Sequence, residues 1–190
     1  MNLGGGGLQD QYAATFGGFN FMEFSNNQKV IVNPLRIKRS IKSELESNVL
    51  LYYTGTSRLS ADIIEFQVKN VNAKSEKTLE SMHNLKKGAI EMKEALVTGR
   101  IDRLGELLHE GWMNKKNTSL SISNPKIDEI YESALAGATG AKISGAGGGG
   151  FFMFYCPNNS RYRVIERLSA FGGEFRRFSF VKDGAISWMI

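Results

Sequence analysis

A single cysteine, Cys156, occurs in the 190-residue sequence, so no disulfide bond can form within the chain. Chains without disulfide crosslinks are typical of the cytoplasm, where we expect this protein to be found. Cys156 ends an apolar run at residues 151–156, and this position predicts a buried structural thiol rather than a nucleophile. The two histidines, His83 and His109, lie apart in polar stretches, so we expect both at the surface and no metal site.

Long apolar runs are also lacking, because none approaches the roughly 20 residues that cross a bilayer. We therefore expect no membrane partner. Charge of one sign is not dominant either: 24 Lys and Arg oppose 19 Asp and Glu, giving a net charge of +5. This mild excess suits an anionic ligand such as a sugar phosphate or a nucleotide, and would equally suit weak nucleic-acid binding. The basic runs at residues 36–39, 115–116 and 176–177 are short, which favours solvated faces and no nucleic-acid partner.

The spacing of apolar residues predicts strands, then a block of helices, then further strands, an order typical of an α+β fold. Asn124 and Pro125 are typical of the first positions of a helix, and Asp183-Gly184 is a strong hairpin signal. Strands are predicted at residues 19–24, 29–37, 49–53, 151–156, 175–181 and 185–190, the last two as a hairpin; helices are predicted at residues 8–16 and 161–170 and through the middle of the chain. One central helix is expected to turn a stripe of apolar side chains to the core: Leu79, Met82, Leu85, Ala89, Met92 and Leu96.

Five glycines occupy the six positions 145–150. Three of them satisfy GxGxxG, but a dinucleotide-binding loop leads into a helix, whereas this one leads into a strand-like run. No GxxxxGK[ST] pattern occurs, which excludes a P-loop. Glycine permits positive φ and a close approach of the backbone, and successive free N–H groups can bind phosphate. The pattern favours a phosphate-binding loop over a tight connection.

Asp10 follows four glycines at residues 4–7 and lies where a helix is predicted to begin. An acid at this position commonly caps the helix and is stabilised by the helix dipole. Such a carboxylate could also accept or orient the proton of a substrate hydroxyl, since phosphoryl transfer mainly requires the nucleophile to be positioned. The residues alone leave both interpretations open.

Two segments together resemble the GHMP kinase family. Residues 7–14, Gly-Leu-Gln-Asp-Gln-Tyr-Ala-Ala, with Phe-Gly-Gly-Phe-Asn at 16–20, resemble the segment that carries that family's catalytic aspartate. Residues 142–151 resemble its third, C-terminal glycine motif. Residues 53–58 and 122–128 are similar to segments of its heptose-phosphate kinases. The motifs follow the family order, and the similarity covers essentially the whole chain.

The resemblance implies a remnant of the N-terminal GHMP domain at residues 1–42, with the aspartate helix and a strand pair, and a ferredoxin-like C-terminal domain at residues 43–190. The implied reaction transfers the γ-phosphoryl group of ATP, with Mg²⁺, to the anomeric hydroxyl of a heptose 7-phosphate, a step towards nucleotide-activated heptose. Asp10 is the implied catalytic base. The implied contacts to phosphate and other anionic groups are Arg58, Lys142, Ser144, Gly145, Ala146, Gly147, Gly148 and Gly149.

One departure from the family pattern is the nucleotide loop Pro-x-x-x-Gly-Leu-Gly-Ser-Ser, which lies upstream of the aspartate segment and does not occur in this sequence. We therefore expect the chain to be a portion of a longer enzyme and to bind ATP poorly by itself. A non-catalytic binding module and a fucokinase-like sugar kinase remain alternatives.

Overall fold

The computed structural model describes residues 7–56 and 76–188. Its helices are α1 Gln9–Phe16, α2 Arg39–Asn48, α3 Glu76–Thr98, α4 Leu104–Thr118, α5 Pro125–Ala134 and α6 Arg161–Leu168. Its strands are β1 Asn20–Phe24, β2 Val30–Pro34, β3 Val49–Tyr53, β4 Gly140–Ile143, β5 Phe151–Tyr155 and β6 Glu174–Arg176. Short 3₁₀ turns occupy Ile101–Arg103, Leu120–Ile122 and Ser169–Phe171. This mixture of helix and sheet confirms the α+β prediction. No helix within the described ranges has the length and apolarity to cross a membrane.

The main sheet has the strand order β4-β5-β3-β6, and each neighbouring pair is antiparallel. Strand β3 lies inside the sheet and was predicted with the observed bounds, because its continuous apolar run is typical of a strand covered on both faces. Strand β4 was not predicted. It has only four residues, of which Gly140 and Lys142 interrupt the apolar pattern, and the sequence indicated only the end of a helix there.

Helices cover both faces of this sheet. Alternate residues of a strand point to opposite faces, and Phe154 and Tyr155 accordingly pack into two different clusters of buried side chains. One cluster contains Trp112 and Tyr131 from α4 and α5. The other is built from α2, the end of α3, the start of α4 and neighbouring residues: Ile41, Leu45, Val49, Ala95, Ile101, Leu104, Leu107, Leu108 and Tyr155.

The first 34 described residues form a separate layer. Strands β1 and β2 pair with each other in a hairpin, as predicted, and do not join the main sheet. Ile41 is the first buried residue, since no side chain between residues 7 and 40 is buried. The layer is held by ring contacts such as that between Phe19 and Phe180, whose centroids lie 4.6 Å apart.

The stripe predicted for α3 is wrong over the first half of the helix. Leu79 and Met82 are 37% and 45% exposed, and the buried positions of this helix are instead Thr78, Ser81 and Ala95. The prediction relied on large apolar side chains. It therefore missed the small residues Thr78 and Ser81, which lie where the helix packs closely.

The C-terminal hairpin is also wrong within the described residues, because β6 ends at Arg176 and residues 177–188 contain no strand. The N–H of Gly18 donates to the Val181 carbonyl at 3.1 Å, and the N–H of Ala185 donates to the Ala14 carbonyl at 2.9 Å. A Cβ on Gly184 would lie 2.1 Å from the Thr15 carbonyl oxygen. The segment after β6 therefore packs against the end of α1, and Gly184 permits that approach.

Helix α4 packs on β4 through a contact between backbones. A Cβ on Gly140 would lie 1.9 Å from the carbonyl oxygen of Gly105 and 2.9 Å from the amide nitrogen of His109. From this contact, ten helical residues to Lys115 rise about 15 Å, and five extended residues to Gly145 span about 16 Å. Because these lengths match, the end of α4 arrives beside the loop that follows β4.

We expect Gly140→Ala to lower the free energy of unfolding by about 1–3 kcal/mol, because its methyl group would overlap backbone that cannot rotate away. Denaturation in urea measures this change. Gly111→Ala, on α4 with nothing within 4 Å of its Cβ, should instead raise stability by up to about 1 kcal/mol through helix propensity. Equal effects of the two substitutions would contradict the close packing at Gly140.

Candidate functional site

Asp10 lies in the first turn of α1 with an exposed side chain. The N-cap of this helix is Leu8, which makes no side-chain capping bond. Within the described part of the chain the Asp10 carboxylate has no hydrogen-bond or ion-pair partner, so this geometry does not support the capping interpretation. Tyr12 holds α1 against β1 through an edge contact with Phe24, with ring centroids 5.8 Å apart.

The glycine loop, residues 144–150, accepts a backbone hydrogen bond from the Thr54 N–H at the Gly150 carbonyl, 3.0 Å away, and its own N–H groups donate further ones. Ser144 N–H donates to Phe151 at 2.9 Å, Gly148 N–H to Ile122 at 2.8 Å and Gly150 N–H to Thr56 at 2.7 Å. All five glycines of the loop have positive φ. This is backbone geometry that residues with a Cβ rarely adopt.

The glycines of this loop serve two different purposes. A Cβ on Gly147 would lie 2.8 Å from the Ile122 carbonyl oxygen, and one on Gly149 would lie 2.5 Å from that of Thr56. Those two glycines are needed for packing, and Gly148 donates its N–H to the same Ile122. Gly145 has open space around it, and no described residue accepts the N–H groups of Gly145 and Ala146. The first half of the loop, Gly145 and Ala146, therefore has N–H groups that could bind phosphate.

Two lysines lie beside this open half. The Nζ of Lys115, from the last turn of α4, donates a hydrogen bond to the Gly145 carbonyl. Burial and the charge of Lys142 lower the pKa of Lys115 to about 8, while Asp10 acts in the opposite direction. Desolvation likewise lowers the pKa of Lys142, and Asp10 raises it. Asp10, Lys115, Lys142 and the loop, each from a different element, are therefore close enough to influence one another.

A cleft of about 820 Å³ between α3 and α4 runs up to these lysines. Its charged lining includes Lys87, Glu91 and Glu110 besides Lys115 and Lys142. The cleft thus extends from the groove between the two long helices to the two lysines.

Two further residues, Ser144 and Arg58, were predicted to contact anionic groups, and the described part of the chain gives no support for this role. Ser144 is exposed, and its hydroxyl makes no hydrogen bond to a described residue. Arg58 lies outside the described residues. Thr56, two positions earlier in sequence, contacts the end of the glycine loop.

Sequence reasoning missed Lys115, which it assigned with Lys116 to a solvated face. The two behave differently, since the Nζ of Lys116 pairs with Asp128 at 2.6 Å whereas Lys115 turns to the loop. A local pattern carries no signal for this difference, because the partner of Lys115 is 30 residues away in sequence.

Neither Cys156 nor the histidines add a reactive group to this site. Cys156 is fully buried, as predicted, and burial raises the pKa of its thiol to about 12. His109 is partly buried rather than at the surface, and its Nδ1 lies 2.5 Å from the Tyr131 hydroxyl. His83 is exposed. Across residues 7–56 and 76–188, no three His, Cys, Asp or Glu side chains are grouped so that they could hold a metal ion.

Residues 92–174 match the family model described as GHMP kinases C terminal. The chain carries a GHMP kinase C-terminal domain. The matched region contains Lys115, Lys142 and the whole glycine loop, so these features belong to the GHMP domain itself.

Similar proteins extend the likeness over nearly the whole chain. A D-glycero-alpha-D-manno-heptose 7-phosphate kinase of Campylobacter jejuni is 48% identical over 186 residues, which are 97% of this chain and 54% of that protein. The crystal structure of a D-glycero-D-manno-heptose 1-phosphate kinase from Bacteroides thetaiotaomicron has a TM-score of 0.71 at 38% identity, covering 97% of this chain and 49% of its own. An L-fucokinase/L-fucose-1-P guanylyltransferase of Bacteroides fragilis is 29% identical over 180 residues, 94% of this chain and 19% of that protein. The chain thus spans about half the length of the heptose kinase it matches.

The convergence of Asp10, Lys115 and Lys142 can be tested by titration. We expect the amine of Lys115 to titrate near pH 8 rather than 10.5, measured by NMR on ¹³C-methylated lysines and assigned with Lys115→Arg. Asp10→Asn should lower this pKa further because it removes an attractive charge, and Lys142→Met should raise it because it removes a repulsive one. A titration of Lys115 that neither substitution shifts would contradict the convergence.

Proposed function

We propose that this chain is the C-terminal portion of an ATP-dependent GHMP sugar kinase whose substrate is a heptose 7-phosphate, phosphorylated at its anomeric hydroxyl. The product would serve the synthesis of nucleotide-activated heptose in the cytoplasm. The observation that carries the proposal is the position of Asp10, whose carboxylate has no partner among the described residues, within electrostatic range of two lysines beside an open glycine loop. The 48% identity to a heptose 7-phosphate kinase supports the choice of substrate.

The carboxylate, the two lysines and the open loop can each take one role in phosphoryl transfer. ATP supplies the phosphoryl group, the sugar oxygen forms the new P–O bond, and ADP carries the broken bond's electron pair away. Asp10 accepts the proton of the attacking hydroxyl, since its carboxylate is unpaired among the described residues. Lys115 and Lys142 stabilise negative charge on the phosphoryl oxygens, and the N–H groups of Gly145 and Ala146 are available as further donors.

Magnesium is implied by the family, but the described residues do not fit a protein-held metal site. The residues that fit ATP are Gly145, Ala146 and the two lysines beside them. They would contact the phosphate groups of ATP and not its base or ribose.

We also propose a domain boundary near residue 42. The β1–β2 hairpin forms its own sheet, and between residues 7 and 56 burial begins at Ile41. Residues 1–42 would then belong to the N-terminal GHMP domain, and residues 43–190 to the C-terminal domain.

A non-catalytic module is the second candidate. Isothermal titration of the chain with ATP and Mg²⁺, with and without heptose 7-phosphate, separates the candidates. No heat in either titration would favour the module.

A chimera tests the kinase proposal directly. The N-terminal half of the Campylobacter jejuni enzyme joined to this chain should phosphorylate heptose 7-phosphate, and Asp10→Asn should lower its kcat by about 100-fold or more, because the proton acceptor is removed. A coupled ADP-release assay measures both, and thermal unfolding checks that the variant is folded.

The matched control is Asp183→Asn, an exposed acid on the segment that packs against α1. We expect it to retain kcat. Near-normal turnover of Asp10→Asn would remove its catalytic role, and preference of the chimera for L-fucose over the heptose phosphate would favour a fucokinase-like enzyme.

A further inference from the structure

Lys115 is held in an electrostatically unfavourable place. It lies in the last turn of α4, partly buried, with its Nζ on the Gly145 carbonyl. No carboxylate forms an ion pair with it among the described residues, whereas its sequence neighbour Lys116 has Asp128. The charges that face it are Lys142 from β4, which repels it, and Asp10 from α1, which attracts it.

Lys142 has an exposed side chain, and its charge lies near enough to the partly buried Lys115 to destabilise the charged form of Lys115. Unconstrained side chains would swing apart into water. Here the backbone contact between Gly105 and Gly140 fixes α4 on β4, and both lysines line the same cleft. A fold that maintains such a pair at a cleft is typical of a site that binds an anion.

We propose that Lys115 and Lys142 form a paired-cation receptor for a phosphate dianion, and that Lys115 moves its hydrogen bond from the Gly145 carbonyl to the phosphate on binding. This deepens the proposed function and rests on it, by naming Lys115 as a substrate-contacting residue. The two positive charges match the two negative charges of a phosphate monoester or a terminal nucleotide phosphate. The N–H groups of Gly145 and Ala146 lie at the same open end of the loop.

The receptor has a definite pH dependence. A phosphate monoester becomes a dianion above about pH 6, and Lys115 loses its proton as the pH rises through about 8. Affinity should therefore be greatest between these values and fall on both sides. Glu110 from α4 lines the same cleft. Since the pKa of Lys142 is lowered as well as that of Lys115, the fall above pH 8 reports the lysine pair.

The direct test is calorimetric titration of the 190-residue chain with pyrophosphate at pH 7. We expect Lys115→Met and Lys142→Met each to weaken binding by about tenfold or more, the effect of losing one charge-assisted hydrogen bond. Lys115→Arg keeps the charge and should bind more tightly than Lys115→Met. Lys126→Met changes the net charge equally at an exposed lysine outside the cleft and should bind as the unsubstituted chain does.

Unchanged binding in Lys115→Met, or equal weakening in Lys126→Met, would overturn the receptor. If Lys115→Met fails to fold, NMR of ¹³C-methylated lysines in the unsubstituted chain gives the answer, since pyrophosphate must shift the Lys115 signal. No shift at saturating pyrophosphate would overturn the proposal as well.

Competition identifies the source of the phosphate. Displacement of pyrophosphate by ATP assigns the receptor to the nucleotide, displacement by glucose 6-phosphate assigns it to the sugar phosphate, and displacement by neither contradicts it. The outcomes also separate the two proposals. Pyrophosphate binding through Lys115 with an inactive chimera would remove only the kinase proposal, whereas an active chimera insensitive to Lys115→Met would remove only the receptor.

Discussion

The contact between Gly105 and Gly140 is the constraint from which the arrangement of the site follows. Only residues without a Cβ allow the backbone of α4 to lie directly on β4 at this point. Once that contact is made, the rise of a helix and the rise of a strand bring Lys115 and Gly145 to the same height. A larger residue at either position would push the helix outward and carry Lys115 away from the loop.

The opposite side of the site is fixed by the two ends of the described chain. Helix α1 has no buried residue of its own, so its position depends on β1 and on the segment after β6. That segment bonds to Gly18 and Ala14, and the approach is possible because Gly17 and Gly184 both lack side chains. The position of Asp10 within electrostatic range of the lysines is thus a property of the folded chain and not of α1.

The glycine loop shows how one sequence feature can serve structure and binding together. Gly147 and Gly149 allow the loop to pack on Ile122 and Thr56, and Gly145 leaves space and a free N–H at the end near the lysines. The two interpretations of the glycines, a tight connection and a phosphate loop, therefore apply to different positions. Substitutions at Gly147 or Gly149 would therefore disturb the packing of the loop, and any loss of ligand binding would follow from that.

Local patterns in the sequence determined much of the fold. The continuous apolar run of β3 and the Asn124 cap of α5, whose side chain accepts the N–H of Ile127 at 3.1 Å, require only neighbouring residues, and the motifs around Asp10 and residues 142–151 indicated the family. Tertiary structure decided the rest. Strand β4 is too short to form a pattern of its own and exists because β5 offers it hydrogen-bond partners. Gly184 allows its segment to pack against α1 and does not form a hairpin turn. The side chains of Lys115 and Lys116 have different partners because the residues that they contact are remote in sequence. Interactions between distant segments depend on which backbones can approach, and local periodicity does not encode that.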